Sequence, residues 1–340
     1  PYLSTIDRKE LPRLVHSLRA AAPSQAHGIF LLSADACNCW VWLPGETEPI
    51  TPSRISIVGY PIGFIPLKVS TEKRNTDRFS RQSFLGSASQ NAIEGVRVGV
   101  VGLGGGGSHI VQQIAHVGVR HLCLFDDDSV EETNLNRLVG ATAADVSNKT
   151  DKTDVAIRTI RSLTPDATIT AYKGKWQDCP EQLEQCDIVF GCVDSFQARR
   201  ELEATCRRYL IPYIDIGMDV YQEDADPPRM AGQVILSLPG KPCMHCLGYL
   251  TERNLAKEAA LYGKAGNRPQ VVWANGVLAS TAVGIFIDIL TGWTGKEGKE
   301  IFLSYDGNEN TITSDRRLNF LNIEECVHYP LENAGPPIWR

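Results

Sequence analysis

The sequence predicts an α/β protein built on a doubly wound, mostly parallel sheet, and three observations predict it. The first is the stretch Val96–Arg137. An apolar run (Val98–Val101), a GxGxxG turn (Gly102, Gly104, Gly107), a helical pattern and a second apolar run (Leu122–Phe125) ending in Asp126 succeed one another. That is the front half of a nucleotide-binding βαβ unit: the glycines let the backbone turn sharply and approach a phosphate, and the helix start offers free N–H groups and a positive dipole end. The second is the rhythm that continues from it, with helix Lys152–Leu163, strand Thr168–Tyr172, strand Asp187–Cys192, helix Phe196–Leu210 and strand Pro212–Ile216. The third is the change of pattern after Ile216, where Gly232–Leu238, Ile301–Tyr305 and Thr311–Thr313 complete the sheet as antiparallel C-terminal strands. The expected architecture is therefore Rossmann-like, preceded by a small β-rich N-terminal module.

In chain order, residues 1–72 make that module. Leu11–Ala20 reads as a short amphipathic helix, and Gly28–Leu32, Cys39–Leu43, Ile55–Val58 and Phe64–Val69 as strands among prolines. Its expected role is docking or dimerisation. Thr71–Gln90 is polar and bridges to the core domain, placed at 73–325. There the first helix spans Ser108–Val117 and closes at Gly118, a C-cap residue. Lys152–Leu163 stops before Pro165. Asp219–Arg229, acidic and carrying Pro227-Pro228, is expected to be a loop. Thr251–Tyr262 reads as a charged helix and Gly263–Pro269 as a loop. Val271–Trp293 is apolar enough to suggest a membrane span, but Asn275, Gly276, Thr281 and Asp288 point to a buried core helix, so no membrane is expected. Residues 326–340 form a tail.

The 340 residues suffice for about two domains. At 43% hydrophobic and 22% charged the chain is ordinary for a globular protein, and a net charge of −6 gives no support to nucleic-acid binding. Ten cysteines without a disulfide-framework spacing read as reducing cytosol, so a cytoplasmic location is expected. No signal-peptide pattern is visible. The chain begins at Pro1 rather than Met, so further residues upstream are expected.

A lone GxGxxG is weak evidence and would default to a nicotinamide or flavin enzyme. Asp126 lies near the ~20 residues downstream where a ribose-binding acid belongs. The residues beyond it change the reading: Asp126-Asp127-Asp128 leads into Asn134-Leu135-Asn136-Arg137, and then Lys152. A redox dinucleotide site needs no such cluster beside its phosphate loop, whereas a site that cleaves a triphosphate does. Arg137 and Lys152 can clamp phosphate oxygens as charge builds on them. Asp194, just past the Val189–Cys192 run, is placed to hold magnesium. The bland alternative is that these are solvated surface charges.

These motifs together resemble the ubiquitin-activating-enzyme-like (ThiF/MoeB/HesA) superfamily over about residues 75–310. The resemblance rests on the glycine loop (with Gly105 inside it), the acid pair Asp126 and Asp128, the run Thr133-Asn134-Leu135-Asn136-Arg137-Leu138, the helix-opening lysine and Cys192-Val193-Asp194-Ser195. It implies that Asp126 binds the ribose hydroxyls, that Asn134, Arg137 and Lys152 bind the triphosphate, and that Asp194 coordinates magnesium. Arg78-Phe79-Ser80-Arg81-Gln82 looks like the family segment whose arginine enters the partner subunit's ATP site, which implies a homodimer with Arg81 acting in trans. Two departures stand out. Leu138 replaces a usual glutamine, and the lysine sits later than usual, so Lys149 competes with Lys152; Ala156 keeps the helix register in favour of Lys152.

The implied reaction is attack of a protein's C-terminal glycine carboxylate on the α-phosphate of ATP, giving an acyl-adenylate and pyrophosphate. The expected substrate is a ubiquitin-like or sulfur-carrier protein. No cysteine lies between Cys246 and Cys326, so the acyl group is expected to pass directly to a partner's cysteine, as on a conjugating-enzyme-like protein, or to a sulfur donor. The N-terminal module leans toward a dedicated conjugation pathway of the bacterial ubiquitin-like kind. The family often holds a structural zinc with two CxxC pairs; here only Cys243-Met244-His245-Cys246 is present, and Cys326 with the nearby His328 is the candidate for the remaining ligands. The alternatives are adenylation of another carboxylate or carbonyl, such as a peptide C-terminus or a modified tRNA base, and a non-catalytic Rossmann scaffold or redox protein.

Overall fold

The structure is a computed structural model that describes residues 4–33, 37–67, 77–86, 88–222, 226–261, 269–296, 298, 300–331 and 334. Contacts divide it into two compact units. One takes its described residues from 1–57 and 62–76, the other from 58–61 and 77–336.

In the first unit, α1 (Thr5–Ala21) starts earlier than the apolar pattern suggests, because Ser4 and Asp7 form a reciprocal capping box. Strands β1 (His27–Leu32) and β2 (Cys37–Trp42) pair antiparallel, as do β3 (Arg54–Ile57) and β4 (Gly63–Pro66).

The second unit opens with a 3-10 run, Asp77–Leu85, and α2 (Ser89–Gly95), where the sequence suggested only a polar bridge. Then come β5 (Arg97–Val101), α3 (Gly105–Val117), β6 (His121–Phe125), α4 (Ala143–Ser147), α5 (Lys152–Leu163), β7 (Thr168–Tyr172), α6 (Pro180–Leu183), β8 (Ile188–Gly191) and α7 (Phe196–Arg208). The rest is β9 (Tyr213–Tyr221), β10 (Arg229–Ser237), α8 (Glu252–Leu261), α9 (Val272–Thr291), β11 (Ile301–Asp306) and β12 (Thr311–Ser314). All eight strands of this unit form one sheet in the order β12-β11-β10-β9-β8-β5-β6-β7. Pairing is parallel from β7 through β9 and antiparallel from β9 through β12, so the Rossmann-like sheet with antiparallel C-terminal strands is what the chain forms.

Two differences from the sequence reading have physical causes. Helix α3 begins at Gly105, not Ser108, because the glycines themselves form its first turn. Strand β9 runs on through Asp219–Tyr221, into the expected loop, because β10 pairs with it residue for residue from Arg229↔Tyr221 to Ser237↔Tyr213. Backbone pairing there overrides polar side chains that carry no strand signal. Of the expected loop 263–269 only Pro269, and of the expected tail 326–340 only 326–331 and Ala334, lie within the described residues. Helix α9, the membrane-like run, packs against α3, β9 and β10 with Ala274, Leu278, Ala282 and Phe286 among its buried side chains. Tyr60 anchors to its C-terminal end by donating to Asp288. At the other helix, Gly118 takes the left-handed conformation (φ 103°) that closes α3.

Candidate active site

A cavity of about 490 Å3 opens where β5, β6 and β8 end. The turn between β5 and α3 forms its floor. Gly102 has φ +86°, and a β-carbon there would lie 2.5 Å from the Cys192 carbonyl oxygen. Gly107 is packed harder still: a β-carbon would sit 1.9 Å from the carbonyl oxygen of Gly102. Gly104 has nothing within 4 Å of its missing β-carbon, so the space beside it is open. Gly102, Gly104 and Gly105 line the cavity, while Gly107 lies beneath it and holds the turn closed.

Asp126 comes off the end of β6 and turns back to this loop. One carboxylate oxygen accepts the Leu103 N–H at 2.6 Å and the other accepts the Asp128 N–H at 2.9 Å. Burial pushes its carboxyl above the usual carboxylate range, with Lys152 and the two N–H groups opposing that. Lys152, first residue of α5, places Nζ 2.6 Å from Asp128 and 3.8 Å from Asp126. Lys149 is exposed in a left-handed turn (φ 50°) and lies off the cavity, whereas Lys152 lines it. Asn134 caps its own turn by accepting the Glu131 N–H at 3.0 Å, and it lines the cavity. Arg137 is fixed by donation to the Thr133 carbonyl at 2.6 Å and to Asn136 at 3.1 Å. Leu138, in the glutamine position, is buried with Val130 and Val155, so packing accounts for the departure. Asp194 follows β8 and accepts from Gln270 at 3.3 Å.

The structure thus gathers Gly102, Gly104, Gly105, Asp126, Asp128, Asn134, Arg137, Lys152 and Asp194 around one space. It does not bring Arg81 there: that residue is exposed on the 3-10 run and does not line this chain's cavity. Several lining residues escaped the sequence reading. Arg199, one turn into α7, is buried and donates to Asp215 at 3.1 Å. Burial raises the Asp215 carboxyl against the pull of Arg199, Tyr213 and Gln233. Asn275 of α9 packs on Gly105, and Lys175 approaches from beyond β7. Arg199, Gln233 and Tyr249 offer no sequence signal of their own, and Asn275 stood out only as a polar residue in an apolar run.

Away from the cavity, Cys243, Cys246, Cys326 and His328 converge, with all their donor atoms within 4.8 Å of one another. The Sγ atoms of Cys243 and Cys246 are 3.6 Å apart, those of Cys246 and Cys326 3.9 Å, and His328 Nδ1 is 3.2 Å from Cys246 and 3.5 Å from Cys243. Tetrahedral zinc at ordinary bond lengths spaces its sulfur ligands about 3.8 Å apart, so this donor set fits the ion.

Comparison with known proteins bears on this geometry. The model of the ThiF family matches residues 77–326. The SAMP-activating enzyme E1 of Haloferax volcanii is 29% identical over 228 residues, 65% of this chain and 80% of that protein. The molybdopterin-synthase adenylyltransferase of Escherichia coli is 29% identical over 236 residues, 67% and 87%. Against ubiquitin-like modifier-activating enzyme 5 of Dictyostelium discoideum, also 29% identical, the chain spans only about half (54%) of the relative's length. A crystal structure of E. coli MccB with succinimide shares the fold, with a TM-score of 0.58 at 22% identity over 71% of this chain and 72% of that one. A family match over most of the chain, with adenylyltransferases and modifier-activating enzymes among the relatives, leaves one assignment: the chain belongs to the ThiF family and is an ATP-dependent adenylyltransferase.

Proposed function

We propose that the chain adenylates the C-terminal glycine carboxylate of a ubiquitin-like or sulfur-carrier protein and hands the acyl group to a partner cysteine or a sulfur donor. One observation carries this reading. A single cavity is lined at one end by the phosphate loop, Asn134, Arg137 and Lys152, and at the other by β9 and β10, with Asp194 between. The names of the relatives, which include a ThiS sulfur-carrier adenylyltransferase of E. coli, support the substrate class.

On this reading the N–H groups at the start of α3 face the phosphates, and Asp126 takes the ribose hydroxyls. Lys152, held between Asp126 and Asp128, exchanges Asp128 for a phosphate oxygen. Arg137 and Asn134 take further phosphate oxygens. Asp194 holds magnesium, which when bound neutralises charge on the phosphates. The nucleophile is already a carboxylate, so no general base is required. The working unit is a homodimer in the cytoplasm, with Arg81 supplied to the neighbouring subunit's cavity. Cys243, Cys246, Cys326 and His328 hold a structural zinc ion.

The test is ATP–pyrophosphate exchange, measured with carrier proteins ending in Gly-Gly and, separately, with short peptides. Exchange with a carrier is expected, and Asp194→Ala should abolish it. Exchange with peptides alone would move the assignment to a peptide C-terminus. No exchange with either, together with tight NAD binding, would sink the reading.

A further inference from the structure

The end of the cavity farthest from Asp126 is polar, and none of the nucleotide-binding set lies on the strands that build it. In the sheet order, β10 is four strands from β6, a distance of about 19 Å. Gln233 of β10 sits there with Arg199 and Tyr249.

The hydrogen bonds at this end have a fixed direction. Gln233 Nε2 donates to Asp215 at 3.2 Å and to the Tyr249 hydroxyl at 2.5 Å. A carboxylate paired with a buried guanidinium, as Asp215 is with Arg199 at 3.1 Å, accepts, so the amide nitrogen and not its oxygen faces Asp215. Asp215 itself is buried and immobilised by Tyr213 at 2.8 Å and Arg199 at 3.1 Å. The Tyr249 oxygen is therefore the acceptor toward Gln233, and its own proton points elsewhere. Among the described residues that hydroxyl has no other partner. Its ring is clamped by Phe196 at 5.3 Å and Phe302 at 5.8 Å, so the hydroxyl does not swing. Burial raises its pKa, so it keeps the proton at neutral pH.

We propose that the Tyr249 hydroxyl donates to the non-attacking oxygen of the incoming C-terminal carboxylate, with Gln233 and Asp215 positioning it. The inference rests on the adenylation reading and adds the acyl-side contact. The free carboxylate oxygen forms a bond to the α-phosphorus. The bond from that phosphorus to the bridging oxygen breaks, and pyrophosphate leaves with the electron pair. The oxygen held by Tyr249 becomes the carbonyl oxygen of the acyl-adenylate, and the phenol retains its proton throughout.

Exchange kinetics on the full chain, with the Gly-Gly carrier that supports wild-type exchange, test this. Tyr249→Phe should raise KM for the carrier by about tenfold or more, as loss of a hydrogen bond to a charged group does, and leave KM for ATP unchanged. Gln233→Leu frees the hydroxyl to turn and should raise the same KM. The double variant should be no worse than the worse single one, since both remove one donor. An unchanged carrier KM in Tyr249→Phe overturns the proposal, as does an equal rise in both KM values, which marks a disturbed fold. Wild-type protein that exchanges with no carboxylate chain overturns the adenylation reading and this contact with it.

Discussion

Two glycines of the same fingerprint separate folding from binding. A β-carbon on Gly107 collides with the backbone of Gly102, and neither can retreat without opening the turn. Gly107→Ala should therefore cost about 3 kcal/mol or more, read as a large drop in Tm. Gly104 has room, so Gly104→Ala should melt like wild type yet bind ATP weakly, because the added methyl occupies the approach to the phosphates. A thermal melt and an ATP titration on both variants check the contrast. A different residue pair contributes to stability in acid. Asp145 accepts two bonds from Arg158, both at 2.8 Å, which with the Thr142 cap holds its carboxyl well below the usual carboxylate range. A depressed acid contributes stability above its ordinary pKa and loses it as pH falls through the depressed value. Asp145→Asn should lower stability at neutral pH by about 1–2 kcal/mol, and its deficit should shrink toward about pH 2, as Tm against pH would show.

The parallel half of the sheet was legible because its central strands are apolar runs between turn signals, while β7 reads as Thr168-Ile169-Thr170-Ala171-Tyr172 at the edge. The buried Val98–Val101 and Ile188–Gly191 are such runs. The antiparallel half was less so. Met218 to Tyr221 alternate between partly buried and exposed, and only their register with β10 makes them strand. The candidate metal-ligand group was legible in outline: Cys243 and Cys246 stand three apart in sequence, and Cys326 and His328 could be named as candidates, but Cys326 comes from 80 residues downstream of Cys246 and only the folded chain brings it near. If zinc ties these segments, a strong chelator should lower Tm and release about one ion per chain, and His328→Ala should melt near the chelated wild type without further response to chelator. A wild-type Tm indifferent to the chelator would count against a bound ion.

The charged half of the site was readable because phosphate chemistry demands residue types that cluster in sequence. The far end, to which we assign the acyl group, was not, because Arg199, Gln233 and Tyr249 come from three separate segments and each is unremarkable alone. Arg81 lies off its own chain's cavity, which turns the trans assignment into a mixing experiment. Arg81→Ala and Asp194→Ala homodimers should each be inactive. Re-equilibrated together in equal amounts, they should recover about a quarter of wild-type exchange, since half the dimers then carry one intact site of two. No recovery would mean that Arg81 serves no neighbouring site. The Leu103 N–H bonded to Asp126 carries a last consequence, for the thermodynamics of nucleotide entry. The turn is tied down by the chain's own hydrogen bond, so its chain entropy is lost when the protein folds and not when ATP arrives. Nucleotide association should then behave as entry into a rigid socket. The Leu103 amide should be slow to exchange with deuterium before ATP is added, and ATP should raise Tm by mass action without the heat-capacity change of coupled folding.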